Sequence, residues 1–274
     1  MRQIMTELNT ESVCGPEWGY DYLDSKSFSM YMPYQFEIDI TIFVPCYNEE
    51  GNIVDTLNTI FSALDETRLA YEILIIDDAS KDNTKKVIHD YIKDHPSRNI
   101  VLRVRKENIG LAQNYIDCAF MAKGRYYKLV SGDNAEPKET LLATFNSLGK
   151  AEMIIPYIAR VEGRSSARSF ISWAYTAIVN TITGYKIKYY NGGATHYTCN
   201  VMRWHTDYHG YSFQADVITR LLDQGMNYIQ IPVSYQERKT GKSAALKLKN
   251  FLSVGHFFMD LIIRRVGRKS RHYL

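Results

Sequence analysis

Cysteine, proline and long apolar runs are all scarce in this 274-residue chain, which has four cysteines and seven prolines. The cysteines lie far apart, with no CxxC pair and no Cys/His cluster at the spacing of a zinc site, so we expect reduced thiols in a cytoplasmic protein. No stretch approaches the ~18 apolar residues of a membrane span, and residues 1–22 lack the apolar run of a signal peptide. The sequence therefore gives no indication of export or of a spanning helix.

An excess of one charge is also missing from the chain as a whole. The formal net charge is +3, from 33 Lys and Arg against 30 Asp and Glu, and this gives no argument for a nucleic-acid partner. The distribution is uneven, because residues 235–274 hold ten Lys or Arg and only two Asp or Glu. Such a basic end is typical of contact with a phosphate-bearing partner, either anionic lipid or nucleic acid, or of a plain solvated tail.

Short apolar runs alternate with stretches of helical periodicity from residue 40 onward. The runs are ITIFV, EILII, IVLRV and YYKLV, and apolar residues between the first two recur at helical spacing. This pattern predicts an α/β fold with a mostly parallel sheet and helices on both faces. We further predict helices over 139–148, 167–183, 215–223 and 246–266, strands over 153–157 and 228–234, and loops over 185–212.

Three of the predicted strands end in polar segments, where a parallel sheet binds its ligands. The segments are PCYNEE, DDASKDNT and SGDNAEP. Tyr47 offers a ring for stacking a base, whereas Asp77 and Asp78 would repel each other unless a metal, a base or a sugar hydroxyl receives one of them. Asp133 suits a hard divalent cation shared with substrate phosphate. Plain turns and capped helices are the alternative interpretation of each segment.

Taken together, these segments resemble the family 2 glycosyltransferases of the GT-A fold, inverting enzymes that use nucleotide-sugar donors. FVPCYNEE is similar to the family's opening strand and nucleotide-binding turn, ILIIDDASKDNT to its second, and ENIGLAQNYIDCAFMAKGRYYKLVSGDNAEP to the stretch that leads into its DxD motif. Within the family, SFQADVITRLLDQGMNYIQIPVSYQERKTGKSA resembles dolichol-phosphate mannose synthases and related polyprenyl-phosphate transferases. The resemblance spans about residues 40–248 and implies a single GT-A domain, Rossmann-like, over 39–248. An N-terminal extension over 1–38 precedes it, and an amphipathic helix with a basic tail over 249–274 follows it.

The resemblance implies roles for the residues that match these motifs. The nucleotide-sugar would be held by Pro45, Tyr47, Glu49, Ile76, Asp78, Ser131, Gly132, Asp133, Arg160 and Arg238. Asp133 would also hold Mg²⁺ or Mn²⁺ at the diphosphate, where a cation and arginines stabilise the charge on the leaving group. The acceptor or its phosphate would meet Gln214, Lys242 and Ser243.

Several positions depart from the pattern, mostly in the acceptor region. Ser131 replaces the first acid of DxD, Ala244 replaces a lysine for which Lys242 could substitute, and residues 189–195 differ from the synthases. The acceptor could therefore be a polyprenyl phosphate or a cell-surface glycan. A degenerate module that binds a nucleotide or lipid without turnover is the alternative.

Asp216 is the candidate general base for a hydroxyl acceptor. If the acceptor is an ionised lipid phosphate, Asp216 would only orient its neighbours. The structural alternative is that Asp216 is an acid at a helix N-terminus that interacts favourably with the helix dipole. We interpret His196, His205 and His209 as polar loop residues.

The segment FLSVGHFFMDLII, followed by several basic residues, predicts either a helix in a membrane interface or one packed on the sheet with a solvated tail. The sequence thus predicts a cytoplasmic transferase, and the first of these two alternatives for the helix would place it at the inner face of the cytoplasmic membrane.

Overall fold

A seven-stranded sheet is the centre of the computed structural model, which describes residues 37–161, 166–203, 210, 212–235 and 248–271. The strands are β1 (Ile38–Cys46), β2 (Tyr71–Asp77), β3 (Ile100–Val104), β4 (Gly124–Leu129), β5 (Met153–Val161), β6 (Thr195–Tyr197) and β7 (Tyr228–Tyr235). The helices are α1 (Ile53–Leu64), α2 (Thr84–Asp94), α3 (Leu111–Met121), α4 (Lys138–Phe145), α5 (Ser166–Thr183), α6 (Thr198–Arg203), α7 (Phe213–Asp223) and α8 (Leu248–Arg271). The N-terminal extension predicted over 1–38 lies almost entirely outside the described residues.

Parallel pairing dominates the sheet, whose strand order is β3-β2-β1-β4-β6-β5-β7. β1 lies between β2 and β4 and pairs with both in parallel, while β2 pairs in parallel with β3. Buried strands rich in β-branched residues suit such a sheet because both of its faces are covered. The predicted βα alternation is confirmed in this half of the chain.

Side chains that alternate along β1 enter two separate cores. Ile42 and Val44 pack in the core that α1, α2 and α4 cover, whereas Phe43 packs on the other face, against α3. Alternation of this kind follows from the twofold period of a strand. Helices therefore cover both faces of the sheet, as the sequence predicted.

The segment predicted as loops over 185–212 contains a strand and a helix, so that part of the prediction was wrong. β6 pairs antiparallel with β4 and β5, with His196 opposite Tyr127, and α6 follows it at once. The Thr198 hydroxyl donates to the carbonyl of Gly124 and fixes the junction between them. Three residues are too few to show a strand period in the sequence, and this explains the error.

A buried polar network joins β1, β2 and β4 at the start of the sheet. The Thr41 hydroxyl donates to Glu72 Oε1 at 2.6 Å and accepts the backbone N–H of Gly124 at 2.8 Å. Gly124 approaches so closely that an added Cβ would lie 2.2 Å from the backbone nitrogen of Thr41. No L side chain fits there without separating β4 from β1.

We expect Gly124→Ala to lower the free energy of unfolding by about 1–3 kcal/mol or more, because the new methyl meets backbone rather than a movable side chain. Urea denaturation followed by circular dichroism measures the effect. Gly255→Ala in α8, where a Cβ meets nothing within 4 Å, is the matched control and should be neutral or stabilising by up to about 1 kcal/mol. Equal stabilities for the two variants would contradict the packing argument.

Candidate active site

The turns that follow β1 and β2 are hydrogen-bonded to each other. The backbone N–H of Asn48 donates to Ser80 Oγ at 2.9 Å, and that of Lys81 donates to Asn48 Oδ1 at 2.8 Å. The N–H of Glu49 donates to Thr84 Oγ1 at 2.8 Å. Asn48 adopts the left-handed conformation (φ 57°) that lets its side chain reach across. The two turns therefore form one rigid rim, on which the neighbouring Tyr47 ring stands 43% exposed.

The acid pair at the end of β2 is satisfied by backbone N–H groups. Asp77 Oδ1 accepts the N–H of Ser80 at 3.0 Å. The two oxygens of Asp78 accept the N–H groups of Ile109 and Gly110, at 3.0 and 2.9 Å. We expected that two adjacent carboxylates would need a bound ligand to be stable side by side. That expectation was wrong, because backbone N–H groups already donate hydrogen bonds to both of them. Asp78 thereby fixes the loop between β3 and α3 beside the rim that the turns after β1 and β2 form.

The turn after β4 packs directly against the end of β1. Gly132 donates its N–H to the Pro45 carbonyl at 3.3 Å, and its own carbonyl accepts the Thr56 hydroxyl at 2.9 Å. An added Cβ on Gly132 would lie 2.9 Å from the Pro45 oxygen, so a side chain there would push the turn away. Asp133, which is 7% exposed, is thus placed beside the turn of β1.

Negative charge is concentrated where the three strand ends meet. The pKa of the Cys46 thiol is raised well above its ordinary value, first by burial and then by nearby negative charges. These charges belong to Glu49, Asp77, Asp82 and Asp133. A concentration of acidic oxygens favours a hard cation.

A divalent cation fits this donor set through Asp133. Among the described side chains, no three His, Cys, Asp or Glu residues form a self-contained metal site. A cation at Asp133 would therefore complete its ligands with phosphate oxygens and water, as Mg²⁺ commonly does. The residues present are compatible with a metal that arrives with a diphosphate.

The remaining nucleotide-side candidates are placed as follows. Pro45 and Ile76 pair in register on β1 and β2, and Ile76 is buried. Glu49 accepts the side-chain N–H of Asn52 at 2.7 Å at the start of α1. Arg160 belongs to β5 but its side chain lies outside the described part of the structure, as do Arg238, Lys242 and Ser243 entirely.

On the acceptor side, Gln214 and Asp216 lie in the first turn of α7 but face different partners. Gln214 Oε1 accepts the N–H of Gly193 at 3.2 Å. Asp216 Oδ1 accepts from Arg264 Nη2 at 2.5 Å and from Arg220 Nε at 3.2 Å. Burial raises the pKa of Asp216, and the two guanidinium groups oppose that rise. Its carboxylate is therefore engaged by two cations.

Sequence reasoning missed a buried ion pair beside the Asp133 turn. Lys128 Nζ on β4 lies 2.9 Å from Glu136 Oε2, and the two side chains are 0% and 5% exposed. Burial raises the pKa of Glu136 despite the opposing charge of Lys128. A lysine inside the apolar run YYKLV was the available signal, because an ammonium group is rarely buried without a partner.

His196 is buried on β6, so its interpretation as a loop residue was wrong; His205 and His209 lie outside the described residues. Its Nδ1 lies 3.0 Å from the Tyr197 carbonyl and its Nε2 lies 2.8 Å from the Tyr115 hydroxyl. A carbonyl can only accept, so Nδ1 carries the proton and Nε2 accepts from Tyr115. Burial lowers the pKa of His196 to about 4.

Comparison with protein families gives one match over most of the folded region. The family model described as Glycosyl transferase family 2 matches residues 41–205. An undecaprenyl-phosphate mannosyltransferase of Micrococcus luteus is 25% identical over 216 residues, which are 74% of this chain and 86% of that protein. A dolichyl-phosphate beta-glucosyltransferase of Dictyostelium discoideum is 35% identical over 103 residues, but these span only 36% of this chain and 32% of that protein.

Solved structures with the same fold carry nucleotide ligands. S. aureus TarS 1–349 in complex with UDP-GlcNAc has a TM-score of 0.60 at 19% identity, covering 82% of this chain and 67% of that one. The mannosyltransferase PcManGT of Pyrobaculum calidifontis, in complex with GDP-Man and Mn²⁺, has a TM-score of 0.61 at 18% identity, covering 84% and 68%. Similarity at this level of identity establishes the fold, which is GT-A.

We expect stability to fall as the pH drops from about 6.5 to about 4, because the unfolded chain protonates His196 in this window while the folded chain does not. The slope contributed is at most about 1.4 kcal/mol per pH unit. Urea denaturation between pH 7.5 and 4.5 measures it. His196→Gln should be less stable at pH 7.5 yet show a shallower slope, and an unchanged slope would refute the assignment.

Proposed function

The chain belongs to glycosyl transferase family 2, and from that premise we propose that it moves a hexose from a UDP- or GDP-sugar to a polyprenyl phosphate. The observation that carries the proposal is the meeting of the three strand ends, which brings Tyr47, Asp78 and the Asp133 turn to one edge of the sheet. This edge is where open α/β sheets bind nucleotides. The names of the Micrococcus and Dictyostelium relatives support a lipid-phosphate acceptor.

The donor would lie across the rim of the β1 and β2 turns. The exposed Tyr47 ring can stack on the base. The surface under the nucleoside would be formed by Pro45, Glu49, Ile76 and Asp78. Asp133, flanked by Ser131 and Gly132, would hold Mg²⁺ or Mn²⁺. When bound, the cation supplies positive charge to the departing diphosphate. Arg160 and Arg238 are proposed to contact phosphate.

The environment of Asp216 favours a phosphate acceptor over a hydroxyl acceptor. A hydroxyl must lose its proton to a base as it attacks, whereas a lipid phosphate is already ionised at neutral pH. Asp216 is occupied by Arg264 and Arg220, so it is better suited to orienting α7 and Gln214 than to taking a proton. Direct attack of the phosphate on the anomeric carbon would invert its configuration. Lys242 and Ser243 are proposed to meet the acceptor phosphate.

Two packed helices present an apolar surface suited to a membrane interface. Tyr175 of α5 contacts the rings of Phe257 and Phe258 of α8, with centroids 6.3 and 5.6 Å apart. We name their exposed side chains the α5–α8 patch: Phe170, Ile171, Trp173, Ile178, Leu252, Met259, Ile262, Ile263 and Val266. None of the helices in the described segments is long and apolar enough to cross a bilayer.

The charge of α8 divides between the protein and the proposed membrane. Arg264 and Arg265 turn inward and pair with Asp216 and Asp223, both at 2.5 Å, so they do not extend the basic surface. The sequence of the last turn of α8 contains Arg268, Lys269 and Arg271. An apolar helical face next to basic residues is typical of peripheral contact with anionic lipid, each cation contributing about 1 kcal/mol. We propose that the patch rests on the membrane that holds the acceptor.

We expect Asp133→Asn to lower kcat at least about 100-fold, because the charge that holds the cation is lost where leaving-group charge develops. The assay follows transfer of labelled hexose from UDP-glucose or GDP-mannose to undecaprenyl phosphate with MnCl₂ or MgCl₂. Asp90→Asn, at an exposed position of α2, is the matched control and should keep full activity. If the folded wild type binds a nucleotide and turns over no donor with any acceptor tested, the chain is the binding module instead.

We expect the double variant Trp173→Glu/Ile263→Glu to lose at least tenfold in affinity for phosphatidylglycerol-containing vesicles, because it puts two charges on the α5–α8 patch. Vesicle co-sedimentation measures this, with pure phosphatidylcholine vesicles as the neutral reference. Val104→Glu, which charges an exposed apolar position on β3, is the control. Binding of the double variant equal to that of the control would refute the membrane contact.

A further inference from the structure

The buried pair of Lys128 and Glu136 joins the two ends of the turn that carries Asp133. Lys128 belongs to β4, just before residues 131–134, and Glu136 follows them at the start of the segment that enters α4. Their charged atoms are 2.9 Å apart and both side chains are buried. The contact therefore closes a short loop of chain whose middle holds the candidate metal ligand.

Stability alone is a poor reason for such a pair. Removing two charges from water has a large desolvation cost, and replacing a buried ion pair by apolar side chains of similar size is often neutral or stabilising. A pair placed next to a site is better explained by what it positions. Here the neighbours of the pair are the residues of the site.

The segment of chain over 192–193 encloses the ammonium group of Lys128. A Cβ on Gly193, whose φ is +65°, would lie 4.0 Å from Lys128 Nζ and 3.2 Å from the Leu129 carbonyl. The Tyr235 hydroxyl donates to the Gly192 carbonyl at 3.0 Å and holds this segment in place. Burial raises the pKa of Tyr235 well above its usual range, and the charges of Glu136 and Asp133 add to the rise. Glu136 and Asp133 thus lie near enough to Tyr235 for their charges to act on it, and Lys128 lies against the same 192–193 segment.

The Asp133 turn needs an anchor at its C-terminal end. Its N-terminal end is fixed by Gly132, through Pro45 and Thr56. Asn134, next in the chain, adopts φ +53°, a conformation that costs free energy in a residue other than glycine and must be held by its surroundings. Glu136, tied to β4 by Lys128, supplies that anchor. Lys128 also offsets the repulsion that Asp133 exerts on the carboxylate of Glu136.

We propose that Lys128 and Glu136 are positioning residues that fix the Asp133 carboxylate for the divalent cation, an inference that rests on the proposed function. Neither side chain touches the cation or the donor. The pair acts by holding the turn, so its loss should weaken the cation-dependent part of nucleotide binding and leave the base-stacking part on Tyr47's rim intact.

The test replaces the pair by apolar side chains, in Lys128→Met/Glu136→Leu. Urea denaturation monitors the fold, electron paramagnetic resonance of free Mn²⁺ with UDP or GDP present measures cation binding, and calorimetry measures nucleotide affinity with and without MnCl₂. We expect a stable fold, unchanged nucleotide affinity without Mn²⁺, and at least a tenfold loss of Mn²⁺ affinity in the ternary complex. Lys86→Met/Asp90→Leu removes an exposed pair of α2 in the same way and should change nothing.

Three results would overturn the inference. The first is Mn²⁺ binding equal to wild type in a stable double variant, and the second is an equal loss of nucleotide affinity with and without Mn²⁺. If the double variant does not fold, Glu136→Gln, which keeps an acceptor for Lys128, is compared with Glu136→Ala. The third overturning result is that these two variants bind Mn²⁺ with equal affinity. A wild type without Mn²⁺-dependent nucleotide binding would instead refute the proposed function itself.

Discussion

The parallel pairing of β1 with β2 on one side and β4 on the other is the constraint from which the site follows. Cys46 lies opposite Asp77 and Phe43 opposite Leu129, so three polar turns leave the sheet at one edge. Close approach keeps this pairing tight, since Gly124 leaves no room for a Cβ against Thr41 and Gly132 almost none against Pro45. Close backbone contacts therefore position the turns at this edge, together with the side-chain hydrogen bonds that link them.

The acids at this edge divide by what satisfies them. Asp77 and Asp78 accept hydrogen bonds from backbone N–H groups, and these bonds hold the neighbouring loops in place. Glu136 is paired with Lys128 at 2.9 Å, next to the turn that precedes α4. Asp133 lies where the charges of Glu49, Asp77 and Asp82 also act on the Cys46 thiol, and such a concentration of acidic oxygens favours a hard divalent cation. One carboxylate can serve there only if a substrate brings further oxygens.

Local periodicity predicted the βα alternation, the helices on both faces and the three polar strand ends, because each of these is written in neighbouring residues. Long-range partners could not be predicted in the same way. The ion pair of Lys128 and Glu136 spans a turn. Asp78 accepts the backbone N–H groups of Ile109 and Gly110, and His196 is hydrogen-bonded to Tyr115 of α3. Residues 195–203 were misread because a three-residue strand has no visible period. Their pairing with β4 and β5 is decided by the assembled sheet.

The α7–α8 contact connects the residues that we propose for the acceptor with the α5–α8 patch. Asp216 and Asp223 of α7 bind Arg264 and Arg265 of α8. Gln214, in the same first turn as Asp216, accepts the backbone N–H of Gly193 beside the Lys128 pair. These two ion pairs, in which the carboxylates are buried and the arginines are partly exposed, favour one rotation of α8 about its axis against α7. That rotation sends the arginines inward and Ile263 and Val266 outward. The same charges that occupy Asp216 therefore set which face of α8 carries the exposed apolar side chains of the α5–α8 patch.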